Sequence, residues 1–436
     1  MTARVLNPAA EEHKSEGQKV AHVPSFQIHP LAYYIDLSSN NFEGPLPLFL
    51  SNLSEIYLND NMFSGPIPEN IGELLPMLSY LDLSSNFLNG KIPLSIGMLI
   101  ELQALVLRNN NLSGPLPPHW EDLKRLHFLD IANNSISGNI PSSMQNLTSL
   151  YVLSLRQNHL EGEFPYFFRN YLLLRSLDVS RNRFFGKLPT WIGESLPFLL
   201  RLNLRSNFFN GHIPQELCLL FRLRILDLAQ NEFSGGIPPC LGDFSEGSRD
   251  KMFIAINYEQ MLVVSKGRDY LYEATLHLVR SIDLSSNNLS GEIPDNITKF
   301  SSYLNLSFNN LSGKIPRGSQ LQTLNDPSIY QGNYLLCGHP LPTKCPWDET
   351  EPGHAAPIDD GKVDENNEDR TDSLLFYLSV AVGFVVGFWG VCGTLIVKTS
   401  WRLAYFRMFD NLKDKIAIFI MVKGISPLQR KLGRRS

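Results

Sequence analysis

The chain has 436 residues, of which 43% are hydrophobic and 19% charged, and its formal net charge is -5. This composition is that of a folded protein and excludes an intrinsically disordered chain. The small net charge hides two opposed segments, because residues 346–372 carry ten acidic and two basic residues and residues 398–436 carry ten basic and two acidic ones.

Residues 1–33 contain no repeat, and from Tyr34 onward one pattern recurs eleven times. Each copy has leucine-spaced strand residues, an Asn, an apolar residue two places later, a Gly at plus four and a Pro at plus seven. The recurring asparagines are Asn40, Asn61, Asn86, Asn110, Asn134, Asn158, Asn182, Asn207, Asn231, Asn287 and Asn309. From Asn61 to Asn231 the spacing is 24 or 25 residues, which lies in the leucine-rich-repeat range and excludes ankyrin, tetratricopeptide and propeller periods.

The repeat pattern predicts a coil that cannot stand alone. In one copy, Leu78, Leu81 and Leu83 face inward by strand alternation, and the amide of Asn86 satisfies backbone groups of the bend and of the next coil. Pro93 presets an extended segment in place of a regular convex helix. Because no repeat buries its own leucines, we expect an α/β-type solenoid, a superhelix with short parallel strands on its concave face.

The repeats are interrupted once and are followed by a cysteine-containing cap. We assign repeats to residues 34–240, an island loop without a ladder Asn to 241–279, two further repeats to 280–318 and a cap to 319–345. Cys337 and Cys345 could close the end of the solenoid through a short disulfide loop, and Cys218 and Cys240, close to one repeat period apart, could pair across successive coils. Without a C-x-x-C spacing or clustered His, we expect no metal site.

The C-terminal part predicts a single membrane span. An acidic linker, residues 346–373, precedes 24 uncharged residues, 374–397, which are long enough to cross a bilayer. The tail, residues 398–436, is basic, so the positive-inside rule places it in the cytosol and the repeats outside the cell. All the glycosylation sequons precede the span, in agreement with this topology; they are Asn52, Asn111, Asn133, Asn146, Asn288, Asn296, Asn305 and Asn310.

The phrases LDLSSN and SGxIP, together with KGRDYLYEATLHLVRSIDLSSNNLSGEIP at the end of the island, resemble the plant receptor-like proteins of the fungal-elicitor, xylanase-receptor type. The resemblance implies the plant extracellular class of leucine-rich repeat and a plasma-membrane protein that signals through a single-span receptor kinase. The sequence departs from the family in two places. Only two repeats follow the island where the family has about four, and residues 1–33 show neither a signal peptide nor a cysteine-containing cap. We therefore expect an N-terminally truncated form.

The outward strand positions are the candidates for ligand contact. Arg108, Arg156 and Arg205 lie two residues before a ladder Asn and Arg181 lies one before, so stacked coils align them in a basic column. We hypothesise that this column contacts an acidic or polar ligand, an extracellular peptide, protein or glycan. The recurrent Asp four residues before the Asn belongs to the repeat consensus and is uninformative at this stage.

The predicted span carries small residues at four-residue spacing, Ser379, Gly383 and Gly387, a face that permits close helix contact with a partner kinase. The tail of 39 residues is too short for a kinase domain and contains no Gly-rich loop, HRD or DFG text. We therefore expect no enzyme activity, no cofactor and no nucleic-acid partner. The alternative function is a ligand-binding or enzyme-inhibiting repeat protein, or a truncated decoy that does not signal.

Overall fold

In the computed structural model, the described residues are 33–47, 53–242, 280–299, 303–316 and 326–346, with the backbone of four further short strands, Ala3–Arg4, Ala21–His22, Met261–Ser265 and Arg268–Tyr272. All of them belong to one compact unit, residues 1–351. The acidic linker beyond Pro346, the predicted span 374–397 and the basic tail lie outside the described residues.

Twelve short strands form the first parallel sheet in strict chain order. Its register keeps equivalent repeat positions side by side, so that Leu129 pairs with Leu105 on one neighbour and Leu153 on the other. The predicted parallel-strand solenoid is therefore confirmed. The strands are Ala3–Arg4, Tyr34–Asp36, Glu55–Tyr57, Tyr80–Asp82, Ala104–Val106, Phe128–Asp130, Val152–Ser154, Ser176–Asp178, Arg201–Asn203, Ile225–Asp227, Ser281–Asp283 and Tyr303–Asn305.

A second parallel sheet of thirteen strands, which the sequence pattern did not predict, follows the ladder asparagines. From the sequence we expected only a turn and a glycine in this segment. Its backbone also pairs with the same segment of the next repeat, and Gly114, for example, pairs with Ile136. Its strands are Ala21–His22, Phe42–Gly44, Met62–Pro66, Phe87–Gly90, Asn111–Pro115, Ser135–Gly138, His159–Glu163, Arg183–Lys187, Phe208–His212, Glu232–Gly235, Asn288–Gly291, Asn310–Lys314 and Leu335–Cys337.

The third side of most described coils carries a short helix in place of a long one. Pro93 is extended at φ -67° and ψ 148° and leads into a single 3-10 turn, as the fixed φ of proline favours. The 3-10 helices are Leu94–Met98, Ser142–Asn146, Tyr166–Asn170, Gln215–Leu219, Pro239–Gly242, Asp295–Lys299 and Pro327–Ile329, and the α-helices are Ile71–Leu74 and Trp191–Ser195.

From Asn61 onward, each ladder asparagine joins its own coil to the preceding one. The Asn86 side-chain oxygen accepts from the Phe63 amide at 3.0 Å, and its nitrogen donates to the carbonyls of Leu58 at 3.0 Å and Leu83 at 3.2 Å. The amide thus satisfies buried backbone groups on both coils, which would otherwise cost roughly 1–3 kcal/mol each. Gly90, four residues later, has φ 77°, a conformation that side chains disfavour.

The leucines of successive coils merge into one continuous core. Leu105, Leu129 and Leu153 are fully buried, and so are the larger side chains of Trp120 and Tyr171. The indole of Trp120 donates to the Pro117 carbonyl, so this buried polar group is also paired. Burial therefore depends on neighbouring repeats throughout the described part of the chain.

The island is inserted without interrupting the stack. Asp227 pairs directly with Asp283 in the first sheet, and Ser234 with Asn288 in the second. Within the island, the backbone strands Met261–Ser265 and Arg268–Tyr272 pair antiparallel. A disulfide between Cys218 and Cys240 links the last two coils before the insertion.

The cap completes the array with a twelfth ladder residue that the sequence pattern missed. Asn333 accepts from the Leu311 amide and donates to the Leu306 carbonyl, both at 3.0 Å. A disulfide joins Cys337 to Cys345. At the other end, the backbone of Ala3–Arg4 pairs with Ile35 and Asp36.

No helix within the described ranges combines the length and the apolar character needed to cross a membrane.

The asparagine ladder yields a test within one repeat. We expect Asn86→Ala to lower the local free energy of unfolding by roughly 3 kcal/mol, because it strips partners from buried backbone groups on two coils. Asn89→Ala, three residues away at an exposed second-sheet position, is the matched control and changes stability by less than about 0.5 kcal/mol. Amide hydrogen exchange around Phe63 and Leu83 measures both, and equal protection in the two variants would contradict the ladder's role.

Candidate ligand-binding face

The outward side chains of the first sheet form two rows along the solenoid. Two residues before each ladder Asn, arginines alternate with small residues, in the order Arg108, Ala132, Arg156, Ser180, Arg205 and Ala229. Four residues before it, acidic residues lie mainly on the coils that carry the small residues; they include Asp130, Asp178, Asp227 and Asp283. A small residue in one coil leaves room for the arginine of its neighbour to reach these carboxylates.

The arginines are engaged in a charge ladder with these carboxylates. Arg205 lies 3.5 Å from Asp227 and 3.0 Å from Asp283, and its side chain is only 9% exposed. Arg201, which lies six residues before the ladder residue Asn207, donates to Asp178 at 2.6 Å. Buried ion pairs of this kind organise a surface, and removing one partner leaves an uncompensated charge.

The four arginines of the predicted column are not equally accessible. Arg156 and Arg205 are both buried. Arg108 is half-buried and lies 3.8 Å from Asp130, and Arg181 is half-buried at the φ 54° position before its ladder Asn. Arg108 and Arg205 are thus paired with neighbouring acids, and the contact of the column with a ligand stays a prediction.

The aspartates that the sequence analysis set aside, and Arg201, are the residues it missed. The recurrent Asp of the repeat consensus is not uninformative here, because Asp178, Asp227 and Asp283 are buried among the arginines. The sequence did contain a signal for these residues. Arginines alternate with small residues two positions before the ladder Asn, and acidic residues recur four positions before it.

Burial shifts the titration of the ladder carboxylates upward. The pKa of Asp227 is raised to about 7, first by desolvation and then by the nearby Asp283, while Arg205 opposes the shift. Desolvation also raises the pKa of Asp130, against the lowering effect of Arg108. The face therefore changes charge at a pH where exposed carboxylates are already ionised.

Aromatic side chains occupy the face on both sides of Arg108. Tyr57 and Tyr80 stack with ring centroids 4.7 Å apart, and the Tyr57 hydroxyl donates to Glu55 at 3.0 Å. Further along, His127 stacks on Tyr151 at 5.1 Å, and Arg175 covers the other part of that ring at 5.4 Å. Such flat, half-buried groups offer contact area with little loss of conformational entropy.

The sequons differ in accessibility. The exposed ones are Asn111, Asn133, Asn146, Asn288 and Asn310, whereas Asn296 and Asn305 are half-buried and Asn305 also donates to Asp283 at 3.4 Å. Asn52 and the predicted helix-contact residues Ser379, Gly383 and Gly387 lie outside the described residues. Within the described part of the chain, no group of three or more potential metal ligands occurs.

The raised pKa of Asp227 predicts a pH dependence of stability. Its folded pKa, about 7, exceeds the usual 3.8, so the stability linked to its neutral form is fully present below about pH 4 and is lost as the pH rises through 7. We expect the melting temperature of the chain to fall between pH 5 and pH 8, with a loss on the order of 2 kcal/mol from this group. Asp227→Asn should flatten the profile in thermal melts, whereas Asp122→Asn, at an exposed position, should leave it steep.

Comparison with known proteins agrees with this architecture. The Leucine Rich Repeat family model matches residues 33–53, 52–74, 77–99, 101–123, 125–147, 173–195, 222–244, 278–300 and 302–320. The chain is 44% identical to receptor-like protein EIX2 of Solanum lycopersicum over 100 residues, which are 22% of this chain and 9% of that protein. The match therefore spans less than a tenth of the relative's length.

Two solved structures show the same fold. The Arabidopsis receptor kinase HAESA, in complex with the peptide hormone IDA and the co-receptor SERK1, aligns with a TM-score of 0.54 and 30% identity over 70% of this chain and 50% of that one. A plant ice-binding protein aligns with a TM-score of 0.51 and 30% identity over 65% of this chain and 80% of that one. The resemblance carried by the repeat phrases is confirmed: the chain carries leucine-rich repeats and is similar to the plant receptor-like proteins.

Proposed function

We propose that the chain is a plasma-membrane receptor-like protein without a kinase domain, which binds an extracellular ligand on its first sheet and signals through a partner receptor kinase. The observation that carries the proposal is the unbroken row of outward side chains on that sheet. Leucines and ladder asparagines maintain the fold, which leaves the outward positions of each strand available to vary. The likeness to EIX2 and to a receptor structure that holds a peptide hormone supports it.

The first sheet has the dimensions of a peptide site. Its strands follow one another from Tyr34–Asp36 to Tyr303–Asn305 in chain order, and neighbouring strands lie about 4.8 Å apart. The row therefore extends on the order of 50 Å, enough for an extended peptide of roughly 15 residues. A microbial elicitor, whether a peptide, a protein surface or a glycan, is the proposed ligand class in plant defence.

Within this face, the arginine column remains our proposed contact for acidic or polar ligand groups. The half-buried Arg108 and Arg181 are the members positioned to touch a ligand. Arg156 and Arg205 are buried, and Arg205 contacts the carboxylates of Asp227 and Asp283. Replacing all four with glutamate would mix ligand effects with unfolding, so single substitutions give the cleaner test.

The prediction for ligand binding uses a purified fungal xylanase as the probe and the oxidative burst of leaf cells expressing the full chain as the readout. We expect a burst that is absent from cells without the chain, and Arg181→Glu should raise the half-maximal xylanase concentration about tenfold, as loss of a charged contact does. Arg183→Glu, exposed on the second sheet, is the matched control. No burst in cells that express wild-type chain at the surface would contradict the proposed elicitor receptor.

The second part of the proposal concerns signalling. The proposed partner is a single-span receptor kinase, for which Ser379, Gly383 and Gly387 give the proposed span a small-residue face. The repeats would then be extracellular and the tail cytosolic.

We expect Gly383→Leu combined with Gly387→Leu to reduce co-precipitation of the partner kinase by about fivefold or more, because the larger side chains separate the helices. Ala381→Leu combined with Val385→Leu alters the opposite helix face at the same four-residue spacing and should leave co-precipitation intact. Undiminished recovery with the glycine variant would refute this contact.

The second candidate function is a ligand-binding or enzyme-inhibiting repeat protein, or a decoy without signalling. It is favoured by the alignment with the plant ice-binding protein, of which this chain covers 80%. The two candidates differ in the kinase experiment: a decoy binds its ligand but recruits no kinase.

A further inference from the structure

Charge is distributed unevenly along the described repeats. Residues 33–90 contain seven acidic residues and no lysine or arginine. Residues 91–242 contain fourteen lysines and arginines and eleven acidic residues. The first three repeats therefore form an acidic end of the solenoid, which the net charge of the whole chain conceals.

On the first sheet, this acidic end carries an alternating arrangement of tyrosines and carboxylates. In one row of the strand register, Tyr34 pairs with Glu55, and Glu55 pairs with Tyr80. In the other row, Asp36 pairs with Tyr57, and Tyr57 pairs with Asp82. Each tyrosine thus has a carboxylate beside it on every neighbouring strand of the set. We call these six residues, Tyr34, Asp36, Glu55, Tyr57, Tyr80 and Asp82, the tyrosine–acid face.

The members of this face are held in place by local contacts. Asp82 accepts from the Ser84 amide at 2.9 Å and from its hydroxyl at 2.6 Å, and Asp36 accepts from the Ser38 amide at 3.0 Å in the same way. The Tyr57 hydroxyl donates to Glu55, and its ring stacks on Tyr80. All six side chains are half-buried, so the face is preorganised and still reaches solvent.

Desolvation raises the pKa of Asp82, while its hydrogen bonds from Ser84 and the nearby Arg108 oppose the shift. A cation bound over the tyrosine rings would add charge opposite to that of the carboxylates and gain a cation–π contact. Anionic partners, such as nucleic acid or an acidic membrane surface, are repelled by the same charges.

We propose that the tyrosine–acid face binds a basic segment of a polypeptide, with arginine or lysine side chains placed over Tyr57 and Tyr80 and paired with Glu55 and Asp82. The proposal rests on the proposed function, since it names the chemistry of one ligand region on the same sheet. It assigns the basic part of the ligand to the first three repeats, whereas the arginine column addresses acidic or polar groups further along.

The test measures binding of two labelled ten-residue peptides, alternating Arg-Ser and alternating Glu-Ser, to the full chain in detergent at physiological salt. We expect binding of the Arg-Ser peptide and none of the Glu-Ser peptide, and Glu55→Gln with Asp82→Asn should weaken binding about tenfold. Glu69→Gln with Glu73→Gln removes the same charge from exposed positions around helix Ile71–Leu74 and is the matched control, with an expected change below about twofold.

A second pair of variants separates aromatic contact from charge. Tyr57→Leu with Tyr80→Leu keeps all carboxylates and should weaken binding of the Arg-Ser peptide about fivefold. Hydrogen exchange in the first three repeats verifies that each variant retains the fold. Equal weakening by Glu69→Gln with Glu73→Gln would show that the peptide is held only by general attraction to the acidic repeats, which would overturn the proposal. Tighter binding of a neutral oligosaccharide than of the Arg-Ser peptide would overturn it as well.

The outcome is independent of the elicitor experiment. If leaf cells show no response to xylanase but the Arg-Ser peptide binds as expected, the proposed elicitor fails and the tyrosine–acid face stands. If the response to xylanase occurs and the Arg-Ser peptide does not bind, the proposed elicitor stands and the proposed role of the tyrosine–acid face fails.

Discussion

The structure depends on one recurring interaction, the hydrogen bonding of a buried asparagine amide to two adjacent coils. Asn134, for example, accepts from the Leu112 amide and donates to the carbonyls of Leu107 and Ile131. These contacts satisfy backbone groups that the leucine core cannot, and they fix how far each coil lies from the next. The parallel register of both sheets follows, because equivalent residues are brought opposite one another in every repeat.

That register turns sequence variation along the chain into a patterned surface. Because leucines and asparagines are committed to the interior, the outward positions of the first sheet differ freely between repeats. Over the first three repeats they carry tyrosines and carboxylates, and from Arg108 onward they carry arginines paired with buried aspartates. One sheet therefore presents two electrostatically distinct regions, which fits recognition of an extended ligand with unlike ends better than recognition of a compact one.

The sequence was sufficient for features that depend on period alone. The spacing of asparagines and leucines predicted the solenoid and its parallel strands, and one repeat period between Cys218 and Cys240 suggested the pair that the structure joins. Features that depend on contacts between repeats were missed. Arg205 and Asp283 are 78 residues apart because the island intervenes, and they meet only when the register across the insertion is known. The second sheet also escaped notice, since its Ser- and Gly-rich strands show no alternation of apolar and polar residues. Asn333 was overlooked because the cap lacks the rest of the repeat motif.

The continuity of both sheets across the island has an evolutionary consequence. A ladder residue on one side of the insertion bonds with the coil on the other as if nothing lay between them, as Asn287 does with the Phe233 amide at 3.0 Å. Whole repeats can therefore be gained or lost by unequal recombination without disturbing the other repeats, provided that each exchange preserves the repeat pattern. Diversification of such a gene would proceed through changes in unit number and in the few outward codons of each unit, with the interior codons held constant by selection for folding.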